Sequence, residues 1–586
     1  MSMPDINNLS WNELKYKYIP ETRDQRIILL SIFFSLLIVI ILPIGSILVF
    51  SFADSFPITD GEFGFTLRHY TYLFENLSLL YEITLNSFIY AAGATFLAIT
   101  VGTFAAFFTV KYLNDSMWVQ LLMLIPYGIP SVAALVGWVI LLGDVGVLTE
   151  AVIAVFNLSS SPWDIRSIWG MIFVEGVHTA PIAFLLMFPA IRNIPAAMDE
   201  ASFTAGANRI RTFRQIILPV VWPSVLSTLL FLFVRTMATV TTPAVLGVPE
   251  RIFTFGTAIP YIFLSGADLS YSKALSFSVF MIAITTVFIL YYLKAQSAED
   301  QFTTVLGAGR SEPRRYDSTI LKQGLGITFV GAYLVIAGLL PFGAILWDSL
   351  VPGIMMSTDL SQFSLQNYVA LFAGNAQGTF AWRRALWNTI LVGVIVPTTG
   401  MLICMLIAYA NQIIDIAFSK TFVFVASVPL AIPGIARSMG FLSVFIQTPI
   451  YGTWFILFIA YHGVALPIGM RYASPALTRI GSENVEVSLA SGAGLIRSFR
   501  SILLPLISKD FIAGWMHTYV TVIRNVSIPI LLYTAGSEVI AIELLTVLRA
   551  GYANTASTMA VIITLLSILP HIILQYWRVS GGLRGR

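Results

Sequence analysis

Four charged side chains stand inside long apolar stretches of the sequence: Glu175, Arg235, Arg437 and Arg524. A charge at the centre of a membrane helix costs about 2.5–3.5 kcal/mol on insertion scales, so such residues face a cavity or one another. Two chemistries follow. The carboxylate can neutralise one guanidinium within a buried ion-pair network, or the four can line the path of a charged solute. Three Arg against one Glu leave positive charge over, which suits an anionic solute or chelate better than a bare trivalent cation. His178 and His462 lie in the same kind of run, either as ligands on such a path or as hydrogen-bonded structural residues. Other chemistries are missing their patterns. There is no H-E-x-x-H and no Cys/His cluster for a built-in metal, and the single Cys404 allows no disulfide within the chain. None of the eight lysines follows a glycine, so the phosphate-cradling G-x-x-x-x-G-K-[ST] loop is absent and ATP is not hydrolysed by this chain. No Ser/His/Asp arrangement supports an intramembrane hydrolase. No catalytic, cofactor-binding or metal-binding residue is therefore assigned.

The elements that must position these charges are membrane helices. Hydrophobic residues make up 57% of the 586-residue chain, charged residues only 11%, and the mean hydropathy is +0.83. Globular domains carry about 25% charged residues, so the chain belongs in a bilayer. A net charge of +3 follows from topology and needs no nucleic-acid partner. An apolar run of about 20 residues crosses a membrane, and twelve such runs are expected. In the first half they cover about 27–52, 83–110, 116–143, 167–190, 220–248 and 274–293. In the second they cover about 323–347, 386–410, 421–446, 450–470, 511–535 and 556–577. The first run is too long for the core of a cleaved signal peptide. With the N-terminus inside, 23 of the 33 Lys and Arg fall in cytoplasmic segments and 7 outside, which orients the chain with both termini in the cytoplasm. The expected organisation is a cytoplasmic segment 1–26, a first membrane unit 27–293, a polar cytoplasmic linker 294–322, a second unit 323–577 and a tail 578–586. The fold class is all-α, two homologous six-helix halves with the same orientation, hence a parallel repeat.

The repeat itself is explicit. Residues 200–219, EASFTAGANRIRTFRQIILP, return as residues 486–505, EVSLASGAGLIRSFRSILLP. Each copy has Gly six residues after Glu, Ile ten after that Gly, and Leu-Pro two after the Ile. Asn86-Ser87 answers to Asn388-Thr389, and Pro126 and Pro130 to Pro429 and Pro433. His178 is paired with His462, and Arg235 roughly with Arg524. Each island is an Ala/Ser/Gly-rich basic stretch between apolar runs. It can form a short helix that Gly206 or Gly492 ends, with Pro219 or Pro505 opening the next span and Arg side chains ready to meet carboxylates on a partner. A loop that only anchors to lipid headgroups demands no such register.

Both islands resemble the E-A-A-x-x-x-G loop, followed by I-x-L-P, of importer permeases in the ATP-binding-cassette superfamily. The first departs at Ser202, the second at Val487 and Ser488. The resemblance implies that Glu200, Ala201, Gly206 and Arg209, with Glu486, Gly492 and Arg497, dock on a cytoplasmic ATPase dimer that holds ATP and Mg. It also implies a solute-binding protein outside the membrane and an inner-membrane location. The fused form is similar to ferric-iron-type permeases, the second half most of all (SLQNYVALF, PLAIPGIA, LLYTAGSEVI). Iron(III) or its chelate is thus the expected cargo, with a phosphonate, a phosphorylated sugar, thiamine or a polyamine as alternatives. A secondary transporter of twelve spans would need several intramembrane carboxylates where this chain has only Glu175.

Overall fold

The computed structural model describes residues 22–583, apart from 55–63, 114–115, 265–269, 306–319, 352–359, Phe380, 415–417 and 481–482. Among the described residues the regular secondary structure is all helical, joined by turns and loops, with one isolated bridge between Ala53 and Phe65. Among these residues ten helices are long and apolar enough to cross a membrane, or eleven when Ser419–Leu430 and Gly434–Phe445, bent by 111°, count as one span. The twelve expected runs differ from this in identifiable places. The run expected at 116–143 breaks into Met117–Gly128 and Ser131–Leu142. Pro130 (ψ 139°) and its counterpart Pro433 (ψ 139°) hold extended backbone between the two limbs, as the steric demands around proline require. The run expected at 511–535 is the 16-residue helix Ser508–Ile523, which ends twelve residues early at Arg524 (φ −96°, ψ 0°). The expected linker begins inside the helix Ser270–Val305, its residues 306–319 lie outside the described set, and the expected tail continues the helix Ala553–Leu583. The expected N-terminal segment also lies outside the described residues up to 21.

Four helices share one local device. One-turn π segments at Leu37–Ile41, Phe213–Ile217, Val335–Leu339 and Phe499–Leu503 each run directly into a Leu-Pro step. A proline inside a helix supplies no N–H and pushes away the carbonyl four residues back, so the turn before it widens.

Packing groups the helices differently from the repeat. One compact unit joins Met1–Thr66 with Arg384–Val539, and the other joins Leu67–Arg383 with Ile540–Arg586. In the first, the helix Arg23–Phe50 lies on Gly434–Phe445 of the second repeat. Ser46 donates to the Gly440 carbonyl at 3.1 Å, and a Cβ on Gly440 would collide with the Pro43 carbonyl. In the other, Gln323–Leu350 packs on Ser131–Leu142, and a Cβ on Gly137 would collide with the Pro341 carbonyl. Each repeat thus gives its opening helix to the broken span of the other. The core of this second unit gathers Leu77–Lys111, Ile168–Arg192 and Arg209–Met237 around buried Ala98, Ala105, Ala180 and Ala183. Gly102 sits against Ala183 and Phe184. Small residues let membrane helices approach where no hydrophobic drive exists between them.

Candidate functional site

The repeated islands fold as near copies. The first is the helix Ala196–Thr204, ended by Gly206 at φ +79°; the second is Glu483–Ala490, ended by Gly492 at φ +83°. Both glycines occupy the left-handed region, where a side chain is costly. The chain then closes on itself identically: Ala207 N–H donates to the Ser202 carbonyl (3.0 Å) and Ala493 N–H to the Ser488 carbonyl (3.1 Å). A buried hydroxyl pair staples each turn to the next helix, Ser202 to Thr212 and Ser488 to Ser498, both at 2.8 Å. Within these loops every partner pair stands at the same offset of 286 residues. The two loops agree in backbone, staple and π turn, and each exposes one face to solvent.

That surface is polar with an apolar tip. Glu200 and Ala201 are exposed, and Ile210 is 78% exposed. Arg211 is exposed and donates from Nε to Gln215 at 2.8 Å. Arg209 instead turns inward, its guanidinium carbon 6.0 Å from the centre of the Tyr112 ring. In the second loop Arg497 is exposed, Gly492 stands as described, and the side chain of Glu486 lies outside the described residues. Sequence reading missed what holds the first loop in place. Lys111, at the end of Leu77–Lys111, reaches Asp199 at 2.5 Å, and both side chains are fully buried. At the position 286 residues after Asp199, the second loop has the buried apolar Val485.

Among the intramembrane candidates, Glu175 is buried and held by hydroxyls. Thr242 donates to it at 2.6 Å and Thr179 at 3.3 Å. Tyr90 lies against the same carboxylate, with Arg235 nearby. The described ion pairs do not include Glu175; its described partners are neutral hydroxyl donors. Arg235 falls in the last turn of its helix and Arg524 caps the C-terminal end of Ser508–Ile523, where the helix dipole favours a cation. Arg437 donates from Nη1 to the Gly463 carbonyl.

The pairing of His178 with His462 does not hold in space. Their helices, Ile168–Arg192 and Trp454–Ile480, carry matching prolines at 181 and 467 and at 189 and 475. That register sets His462 opposite Gly176. Gly176 meets Leu97, just as His462 Nε2 meets Thr399 Oγ1 at 2.8 Å on the equivalent helix. His178 is two residues further on, on another face, with the Tyr127 ring 6.5 Å away. His462 is otherwise satisfied by the Phe458 carbonyl at 2.8 Å from Nδ1. In the same register Glu175 answers to Tyr461, so the buried carboxylate belongs to one repeat only.

Comparison with known proteins agrees with this architecture. Residues 98–298 match the family described as binding-protein-dependent transport system inner membrane component. The chain is 27% identical over 468 residues (79% of this chain, 72% of the relative) to a putative ferric transport system permease protein, FbpB 1, of Haemophilus influenzae. It is 26% identical over 485 residues (82% and 68%) to the ferric transport system permease protein FbpB of Actinobacillus pleuropneumoniae. A shorter relative, the spermidine/putrescine permease protein PotB of Haemophilus influenzae, is 26% identical over 273 residues, 45% of this chain but 92% of its own length.

Residues 98–298 thus form a binding-protein-dependent permease domain.

The PotB relative is matched over nearly its whole length by under half of this chain. The two loops are repeats of one feature within this chain, and the relatives it matches are named as permease proteins. Asn86 and Asn388 join the repeat as well. Each donates to a carbonyl two residues before a helix, Asn86 to Phe253 ahead of Phe255–Leu264 at 3.4 Å and Asn388 to Glu538 ahead of Ile540–Arg549 at 2.9 Å.

Proposed function

We propose that this permease is the membrane subunit of an ATP-driven, binding-protein-dependent importer that carries iron(III), as an anionic chelate, across the inner membrane. The observation that carries the importer reading is the pair of loops with one geometry, each closed by a left-handed glycine and a buried hydroxyl staple. A symmetric ATPase dimer needs two equivalent seats, and Glu200, Ala201 and Gly206, with Glu486 and Gly492, supply them; Arg497 borders the second seat and Arg209 braces the first. Nucleotide binding would draw both loops together and bias a two-state path, with rigid rocking of the halves about a central site. Both termini would face the cytoplasm, and a solute-binding protein would deliver cargo to the outer face.

Two relatives named for ferric transport, each matched over more than three quarters of this chain, support iron as the cargo. The chelated form follows from charge. No group of three His, Cys, Asp or Glu that could strip and hold a bare ion exists among the described residues, whereas Arg235, Arg437 and Arg524 offer positive charge along the path. The same three residues support a second reading, a phosphorylated or phosphonate solute. Uptake of labelled ferric iron by iron-starved cells, with and without this gene and with its operon otherwise intact, decides between them. Loss of uptake in the deletion is the expected result. Unchanged uptake with no second iron system present overturns iron and moves the assignment to the anionic solute.

A further inference from the structure

We propose that Asp24, at the start of the first span, is a positioning residue for the second cytoplasmic loop, supplying the helix cap which that loop lacks. The inference rests on the reading of the loops as ATPase seats. In the first loop the helix after the glycine turn caps itself: Asn208 Oδ1 accepts from the Arg211 N–H at 2.8 Å. The equivalent residue 286 positions later is Gly494. It has the same extended backbone (φ −74°, ψ 163°, against −82° and 168° for Asn208) but no side chain to cap with. The amide of Ile496, in the turn Asn208 would cap, points instead to Asp24 Oδ2 at 3.4 Å, a residue 472 positions earlier. Gly494 is what admits the carboxylate, since a Cβ there would lie 2.7 Å from Asp24 Oδ2. Asp24 is free for this work because its own helix is already sealed by a box in which Thr22 and Gln25 exchange bonds. The carboxylate therefore stands at two helix N-termini at once, each carrying partial positive charge. The buried Tyr409 hydroxyl donates to the Leu495 carbonyl at 3.2 Å and completes the clasp. The opening helix of the first repeat thus fixes the seat of the second.

The test is amide hydrogen exchange on the full-length permease in lipid vesicles, followed on peptides covering 494–503 and, as internal control, 208–217. Asp24→Ala removes the cap and should speed exchange at 494–503 roughly fivefold, the scale of one lost capping bond, with 208–217 unchanged. Asp24→Asn keeps an acceptor oxygen and should behave as wild type. The double variant Asp24→Ala/Gly494→Asn rebuilds the arrangement of the first loop and should restore protection. Unchanged exchange in Asp24→Ala overturns the proposal, as does equal loosening of both loops or failure of the double variant to restore protection. ATP-driven uptake by the complete transporter is measured alongside. If wild type shows none, the ATPase-seat reading fails while the exchange data still decide the cap. If wild type transports, Asp24→Ala should lower uptake per ATP hydrolysed and the double variant should recover it.

Discussion

The two repeated loops have one shape and different fastenings. The first is pinned from within its own repeat, by a buried Lys111–Asp199 pair and by Asn208 capping the next turn. The second has Val485 and Gly494 at those positions and takes its cap from Asp24. Surface geometry is thus held constant while the interior that supports it has diverged. On the reading of the loops as docking seats, the difference teaches that such a seat fixes the backbone turn and leaves the choice of internal tie open.

The largest test of this contrast is Lys111→Met. It leaves Asp199 as a buried charge without its cation, which costs about 3–5 kcal/mol. Thermal unfolding should fall steeply, and exchange should rise at the first loop alone. The double variant Lys111→Met/Asp199→Leu makes the first loop resemble the second and should recover most of the loss; a double variant as unstable as the single one would mean the pair does more than hold the loop. Next in size is Gly206→Val beside Gly492→Val. Neither glycine has a neighbour within 4 Å of an added Cβ, so the cost is the left-handed backbone alone, about 1–2 kcal/mol and somewhat more for a β-branched residue. The two should lose uptake equally, and a clear inequality would mean that the loops are not equivalent seats. Smaller again are Ser202→Ala and Ser488→Ala. Each leaves one buried hydroxyl of the staple without its partner and should cost about 1 kcal/mol, read as matching shifts in denaturation midpoint. Smallest in stability is Glu200→Ala, within about 0.5 kcal/mol because the side chain is exposed. Uptake per ATP hydrolysed should nonetheless drop, and normal coupling would remove Glu200 from the docking set.

Much of this was legible in the chain. The loops announce themselves because the turn demands glycine at one position and the span demands proline at another, and a second copy removes chance. Pro130 and Pro433 mark where two spans break, but apolar run length alone drew each as one continuous span. The ties were not legible. Lys111 and Asp199 are 88 residues apart, and Asp24 and Ile496 much further, and no local pattern links such residues. The pairing of His178 with His462 failed for a different reason: two conspicuous polar residues outweighed the prolines at 181 and 467, which carry the true register. A two-residue slip on a helix of 3.6 residues per turn moves a side chain to another face.

The contact between Ser46 and Gly440 also sets a timetable. Its partners are 394 residues apart in the chain, so at roughly 5–20 residues per second of synthesis the opening helix waits about 20–80 s in the bilayer before its seat exists. During that interval its polar and small positions face lipid or a chaperoning neighbour, and the helix is open to degradation or to wrong partners. The crossed packing makes birth of the two halves interdependent: neither can be finished alone, and a chain interrupted before residue 440 leaves its first helix without a home.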